Sequence, residues 1–198
     1  MATGTVIDTH VWLTPADGRR WRFDPGSPSL AFAYSGDLGY GIEAWESLHS
    51  PADVDAWLHD RFGPLRAPCD DAAFLAATAL RSAITWCARA AAADAPYPPA
   101  DVDLINEWAA RPAIAPHLPG GTRAAANPTV AQVLSAIAAD AVTTFGTHRE
   151  LIRVCAADDC GLLFVDTSRP RNRRWCSMRR CGGRAKSRAH QSRRRGEV

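Results

Sequence analysis

The sequence predicts an α+β protein, in which a mainly helical N-terminal domain with a few strands at its start precedes a small cysteine-rich module. Three observations support this class. β-branched and aromatic residues separated by turn residues fill the first 40 positions. Apolar residues at helical spacing follow in several segments after residue 50, and four of the six cysteines cluster near the C-terminus. We therefore predict two domains, at 1–148 and 149–198.

Short strands are predicted at the start of the chain. The segments 6–13, 19–23 and 30–34 mix apolar, aromatic and β-branched residues, and Pro and Gly residues separate the second from the third. The N-terminal domain should therefore begin with strands and turns rather than with a helix.

Four helices should form the bulk of the N-terminal domain, at 51–62, 70–93, 101–111 and 128–146. Ser50 and Asp70 are suitable N-caps for the first two, and Pro51 suits the first helical position. In the long Ala-rich helix, Phe74, Leu75 and Ile84 fall close to one face, which we expect to be buried.

The cysteines near the C-terminus form two Cys-x4-Cys pairs with fifteen residues between them: Cys155, Cys160, Cys176 and Cys181. Zn²⁺ takes four thiolates at about 2.3 Å, and two short loops joined by a longer segment supply them. The alternatives are two disulfides or four unrelated thiols. The spacing favours a zinc site with one structural ion.

The predicted elements around these cysteines, a cysteine loop, a hairpin and a helix in that order, resemble a treble-clef type of zinc finger. Gly161 suits a tight loop after the first pair, and the apolar run 162–165 predicts a short strand. Ser177 is a suitable N-cap for a terminal helix that runs to about residue 195. Arg174, Arg179 and Arg180 are candidates to compensate the negative charge of the four thiolates.

Charge divides the chain into two unlike parts. Residues 149–198 hold fourteen of the 23 basic and five of the 21 acidic residues, a net charge of +9, which leaves −7 for residues 1–148. Such asymmetry indicates binding to nucleic acid or to an anionic membrane surface. Six cations follow the last cysteine and are the candidate nucleic-acid contacts: Arg184, Lys186, Arg188, Arg193, Arg194 and Arg195. The alternative is a solvated tail.

The C-terminal motif resembles the CGNR zinc finger. The match runs from Cys155 through Cys160-Gly161 and Asp166-Thr167-Ser168 to Arg174-Trp175-Cys176-Ser177-Met178 and Cys181-Gly182. Gly183 stands where the family has the Asn of its name, so any contact or cap made by that Asn is lost here.

The upstream region resembles, more loosely, the ABATE domain, which precedes this finger in bacterial proteins described as stress-induced transcription regulators. The likeness is carried by the segments 48–53 and 80–84 and by Trp57-Leu58. The family's Leu-Asp-Phe-x-Asn-Thr segment is reduced here to Leu30-Ala31-Phe32-Ala33-Tyr34-Ser35, which implies that any pocket served by its Asp, Asn and Thr is altered or lost.

These resemblances imply a cytoplasmic DNA-binding transcription regulator with a role in stress response. Its N-terminal domain would sense a small-molecule effector or mediate assembly, for instance as a homodimer. RNA binding and docking of the basic tail on an acidic protein surface remain alternatives. We expect no enzyme, because only His148 and His190 lie near the finger, and no membrane span, because Arg81 and Arg89 interrupt the longest apolar stretch. No N-terminal signal segment is visible.

Overall fold

The computed structural model describes residues 7–14, 18–118, 120–122 and 124–195. The elements along the chain are β1 (Val11–Leu13), β2 (Trp21–Phe23), α1 (Pro28–Ala33), α2 (Pro51–Phe62), α3 (Asp71–Ala92), α4 (Pro99–Ala109), α5 (Val130–Val142), β3 (Ile152–Val154), β4 (Leu163–Val165) and α6 (Gly183–Arg195). This is a mainly helical chain with two short hairpins, as the sequence predicts. Short 3₁₀ turns lie at Glu43–Trp45 and Arg149–Leu151, and single π-turns at Thr143–Thr147 and Met178–Gly182.

The first hairpin confirms two of the three strands predicted at the start of the chain. β1 and β2 pair antiparallel, with Val11 opposite Phe23. The third predicted strand is wrong, because residues 28–33 form α1. Ser27 caps this helix by accepting a hydrogen bond from the N–H of Leu30 at 3.1 Å, and Pro28 occupies its first turn. A five-residue apolar run such as 30–34 carries too little periodicity to distinguish a strand from a helix.

The four helices predicted after residue 50 are confirmed, with small shifts at their ends. Asp70 caps α3 by accepting from the N–H of Ala73 at 2.8 Å, and Thr129 and Gln132 form a capping box at the start of α5. α4 begins at Pro99, two residues before the predicted start. One predicted core residue is wrong, since Leu75 is 66% exposed.

α3, α4 and α5 pack on one another, and α1 lies against α3 and α5. Ile84, Cys87, Val133 and Leu134 are among the buried side chains of this bundle. By length and composition alone, Val130–Thr147 could cross a membrane, but half of this stretch is buried inside the protein. Burial of that kind is typical of the core helix of a folded domain.

The second hairpin shares this core instead of forming a separate one. Ile152, Leu163, Phe164 and Val165 are buried in the same cluster as the helices. The hairpin meets the N-terminal region where the chain approaches α1. There the N–H of Val165 donates to the C=O of Pro25 at 2.8 Å. This close contact positions the cysteine module on the helical domain.

Candidate metal centre and basic surface

The β3–β4 hairpin carries the first cysteine loop. Ile152 lies opposite Val165, and beyond the strands the N–H of Cys155 donates to the C=O of Leu162 at 2.8 Å. Gly161 has φ +72°, a left-handed conformation that a side chain would disfavour. The predicted role of Gly161 in a tight turn after Cys160 is confirmed.

The second cysteine loop leads into the terminal helix. Ser177 accepts a hydrogen bond from the N–H of Arg180 at 3.2 Å, so its predicted capping role is confirmed. Cys181 follows in the π-turn that continues into α6. A backbone hydrogen bond from the N–H of Ala156 to the C=O of Arg174, at 2.8 Å, joins the two loops.

The four sulfurs of Cys155, Cys160, Cys176 and Cys181 converge. Their Sγ atoms all lie within 4.8 Å of one another, and Cys176 Sγ is 3.5 Å from both Cys160 Sγ and Cys181 Sγ. A tetrahedron with metal–sulfur bonds of about 2.3 Å has sulfur–sulfur edges of about 3.8 Å. All six cysteines are free rather than disulfide-bonded. The four therefore form the site of one structural zinc ion.

The electrostatics of the sulfur cluster require a cation. The hydrogen bond from Cys176 lowers the pKa of the Cys160 thiol to about 5, against the effect of its burial. The same hydrogen bond raises the pKa of Cys176, and burial raises the pKa of Cys181 to about 12. A divalent ion opposes the two upward shifts, because its charge stabilises the thiolate form of each cysteine that binds it.

Backbone and side-chain groups donate hydrogen bonds to the sulfurs. The N–H of Cys176 lies 3.4 Å from Cys155 Sγ, and Nη2 of Arg184 lies 3.4 Å from Cys181 Sγ. The N–H of Leu162 also donates to Cys160. Donors of this kind offset the negative charge of a metal–thiolate site. Arg184 is thus a cation in contact with a ligand sulfur, although it is not among the candidates from the sequence.

Two residues outside the predicted site, Asp166 and Arg173, hold the segment between the cysteine pairs. Asp166, 1% exposed, accepts from the N–H and the hydroxyl of Ser168 at 3.0 and 2.5 Å and from the N–H of Arg173 at 2.8 Å. Burial alone would raise the pKa of Asp166, but these hydrogen bonds lower it. The sequence Asp166-Thr167-Ser168 is typical of a turn in which the Asp side chain binds the backbone, so it predicts this role.

Arg173 gives no comparable signal, because its partners are backbone carbonyls. Its guanidinium donates to the C=O of Trp175 at 3.0 Å and to the C=O of Cys176, and it lies 4.3 Å from the ring centre of Phe164. A third hydrogen bond reaches the C=O of Asp24 at 3.4 Å. Arg173 is thus a structural residue that also ties the finger to the N-terminal region.

The predicted nucleic-acid contacts differ in their surroundings. Arg184 lies 3.2 Å from Asp159, and Arg188 lies 3.8 Å from Asp158 and 3.9 Å from Asp159, so both carry acidic neighbours from the first cysteine loop. Lys186 and Arg193 are exposed and form no ion pair within the described part of the chain. The side chains of Arg194 and Arg195 lie outside the described residues.

Fold and site together define a helical domain joined to a small structural zinc finger. Residues 152–194 match the family model of the CGNR zinc finger, and residues 26–148 match that of ABATE, whose description is "Putative stress-induced transcription regulator". The ABATE match alone covers more than half of the chain, so this protein belongs to the ABATE family. Both resemblances seen in the sequence, and their order, are confirmed. No curated protein matches the chain.

Proposed function

We propose that this protein is a cytoplasmic DNA-binding transcription regulator in which the zinc finger contacts the duplex. The observation that carries the proposal is the concentration of cations on a metal-anchored module, with a net charge of +9 over residues 149–198 against −7 over the rest. Lys186 and Arg193 add exposed cations on α6. Zinc fixes where such charges point, which a solvated tail does not. The two family matches support the same role.

The proposed role is binding rather than catalysis. All four ligands of the zinc site are cysteines, which is the pattern of a closed structural site, whereas catalytic zinc sites keep one position for water or substrate. Zinc here would organise the surface without taking part in a reaction.

Salt-dependent binding tests this proposal. Zinc-loaded protein is titrated against labelled duplex DNA at several salt concentrations, with fluorescence anisotropy as the readout. Four to six phosphate contacts would give a slope of log affinity against log salt of roughly −4 to −5. Single-stranded RNA and an acidic protein serve as competitors for the two alternative functions. If duplex DNA does not bind at low salt, the proposal is wrong.

For the N-terminal domain we propose a sensing role, based on a cavity of about 770 Å³ between the first hairpin and the finger. Its lining combines aromatic and cationic side chains with one carboxylate and two metal ligands: Trp21, Trp45, Arg180, Arg184, Asp159, Cys160 and Cys181. Two indole rings with two guanidinium groups against one carboxylate suit an aromatic anion. Thermal-shift titration with small aromatic carboxylates tests this, and Trp45→Phe should weaken any stabilisation that they produce.

A further inference from the structure

We propose that the main phosphate-contacting surface of the finger is the loop between the two cysteine pairs rather than the α6 face that carries Arg184 and Arg188. This inference rests on the proposed DNA binding and states which surface of the finger makes the phosphate contacts. The name loop arginines covers Arg169, Arg171 and Arg174 of this loop together with Arg179 of the adjoining π-turn Met178–Gly182.

The loop and the turn that follows it carry positive charge only, as α6 does. Residues 167–180 contain six arginines and no acidic residue. Three of the six have contacts within the protein. Arg173 binds backbone carbonyls, Arg174 lies 5.0 Å from the ring centre of Trp175, and Arg180 lies 5.2 Å from that of Trp21. The four loop arginines are exposed, and none of them forms an ion pair within the described part of the chain.

The α6 face differs in this respect. Arg184 and Arg188 lie within 4 Å of Asp159 or Asp158, so each must give up or share an acidic neighbour before it neutralises a phosphate. Arg184 also donates to Cys181 Sγ. The net charge that this face presents to DNA is therefore smaller than its sequence indicates.

Arg174 lines a concave surface, and the other three loop arginines adjoin its lining residues in the sequence. A cavity of about 620 Å³ is lined by Ser168, Asn172, Arg174, Trp175, Ser177 and Met178, together with Arg173 and Cys176. The other three loop arginines are chain neighbours of this lining: Arg169 follows Ser168, Arg171 precedes Asn172, and Arg179 follows Met178. A strand of the DNA backbone running along this rim would meet guanidinium, hydroxyl and amide donors.

The loop is held in place at both of its ends. Asp166 binds Ser168 and the N–H of Arg173, and the Arg173 side chain binds the C=O groups of Trp175 and Cys176. Donors on a fixed framework lose less entropy on binding than donors on a mobile tail.

Duplex DNA is favoured over an unpaired base as the occupant. The Trp175 ring already has the Arg174 guanidinium 5.0 Å from its centre. A Cβ placed on Gly182 would lie 3.5 Å from Cε3 of the same ring. An unpaired base that stacked on Trp175 would therefore have to displace Arg174 from its place beside the ring.

One loop residue offers a variant that separates binding from stability. Arg171 has φ +49°, a conformation that favours Asn or Gly over long side chains. Arg171→Asn should therefore leave the fold at least as stable as in the wild type while it removes one positive charge.

The test compares two pairs of substitutions that remove equal charge. Arg171→Asn/Arg179→Ala changes the loop, and Arg184→Gln/Arg188→Gln changes α6. Arg66→Ala is the control, because Arg66 is exposed and its N–H binds Pro128, next to the start of α5 and away from the finger. All are measured on full-length, zinc-loaded protein with the same duplex over a range of salt concentrations, and with single-stranded RNA as competitor.

The loop pair should flatten the slope of log affinity against log salt by roughly 1.8 and weaken binding at least tenfold at about 0.15 M salt. The α6 pair should change the slope by less than about half a unit, and the control should leave it unchanged. If the α6 pair loses zinc, the salt slope of the single variant Arg188→Gln is compared with that of Arg179→Ala.

Two results overturn the inference. In the first, the wild type binds duplex DNA and the α6 pair flattens the slope as much as the loop pair does. In the second, single-stranded RNA competes better than duplex DNA. Failure of the wild type to bind DNA overturns the proposed function instead.

Discussion

The hydroxyl of Tyr34 lies between the two backbone polar groups of Leu163. It accepts a hydrogen bond from the N–H at 2.8 Å and donates one to the C=O at 3.0 Å. Tyr34 follows α1, and Leu163 begins β4, so a buried side chain of the helical domain completes the hydrogen bonding of the finger's hairpin. The finger and the helical domain are therefore coupled energetically as well as adjacent.

Removal of this hydroxyl should destabilise both parts of the protein. In Tyr34→Phe, the N–H and C=O of Leu163 would be buried without partners, at a cost of about 2–3 kcal/mol in the free energy of unfolding. Urea denaturation followed by circular dichroism measures the change. Tyr40→Phe is the matched control, because the Tyr40 hydroxyl makes one partly buried hydrogen bond, to the C=O of Gly161 at 2.7 Å. Equal effects of the two substitutions would contradict the bridging role of Tyr34.

The sequence predicts the local features of this protein well. Two cysteine pairs of fixed spacing specify the zinc site because tetrahedral thiolate coordination needs short loops. Asp70 marks the start of α3 because a cap acts on its own first turn. Ser50 stands at the N-cap position of α2, but its hydroxyl donates to Asp53 at 2.8 Å and accepts no hydrogen bond from the backbone of that helix. The strand predicted at 30–34 is wrong, since five apolar residues fit either period and Ser27-Pro28 is a helix start signal.

The contacts that bind distant segments together escape prediction from sequence. Arg184 reaches Asp159 across 25 positions of the chain, and Tyr34 reaches Leu163 across 129. Only the folded chain brings such partners together. The six cations of α6 look equivalent as a sequence pattern, although Arg184 and Arg188 have acidic neighbours and Lys186 does not.

Zinc content should depend on the clustered cysteines alone. We expect one Zn²⁺ per chain in the wild type, measured by elemental analysis after dialysis. Cys176→Ser should lose it, because Cys176 Sγ lies 3.5 Å from two other ligand sulfurs and a serine hydroxyl binds zinc far less tightly than a thiolate. Cys69→Ser is the control, since Cys69 lies outside the cluster. Zinc retained by the first variant, or lost by the second, would refute the assignment.

The ion pair between Arg81 and Glu46 should make stability depend on pH. The two guanidinium nitrogens lie 2.6 and 2.7 Å from the two carboxylate oxygens. Burial alone would raise the pKa of Glu46, but the hydrogen bonds from Arg81 and from the N–H of Leu48 and Ser47 lower it from 4.5. The charged form thus stabilises the fold above pH 4.5, and this contribution is lost as the pH falls below that value.

Glu46→Gln isolates this contribution. At pH 7 it should reduce the free energy of unfolding by about 1 kcal/mol, and the difference from the wild type should shrink as the pH falls below 4.5. Zinc release in acid is common to both proteins and cancels in the difference. Glu107→Gln, in the more exposed pair with Arg111, should have little effect at any pH. A difference between Glu46→Gln and the wild type that stays constant from pH 7 to pH 3.5 would be inconsistent with the ion pair.

A side chain at Gly183 should stabilise the finger. Gly183 begins α6 with helical φ −63° and ψ −45°, and the π-turn precedes it, so it lies inside a continuous helical segment. A Cβ there would lie 3.7 Å from the C=O of Met178, an ordinary contact. Because glycine is disfavoured inside helices, Gly183→Ala should raise the free energy of unfolding by about 0.5–1 kcal/mol.

Gly182→Ala is the matched control for this prediction. A Cβ at position 182 would lie 3.0 Å from Sδ of Met178 and 3.5 Å from Cε3 of Trp175, so the neighbours must move and most of the gain should vanish. Urea unfolding of zinc-loaded protein gives the stabilities, and amide hydrogen exchange over residues 183–195 shows whether the gain lies in α6. A destabilising Gly183→Ala would mean that the helical segment is interrupted at this position.

Gly183→Asn restores the side chain that the family resemblance implies at this position. The effect of Gly183→Asn on DNA affinity measures what that Asn contributes.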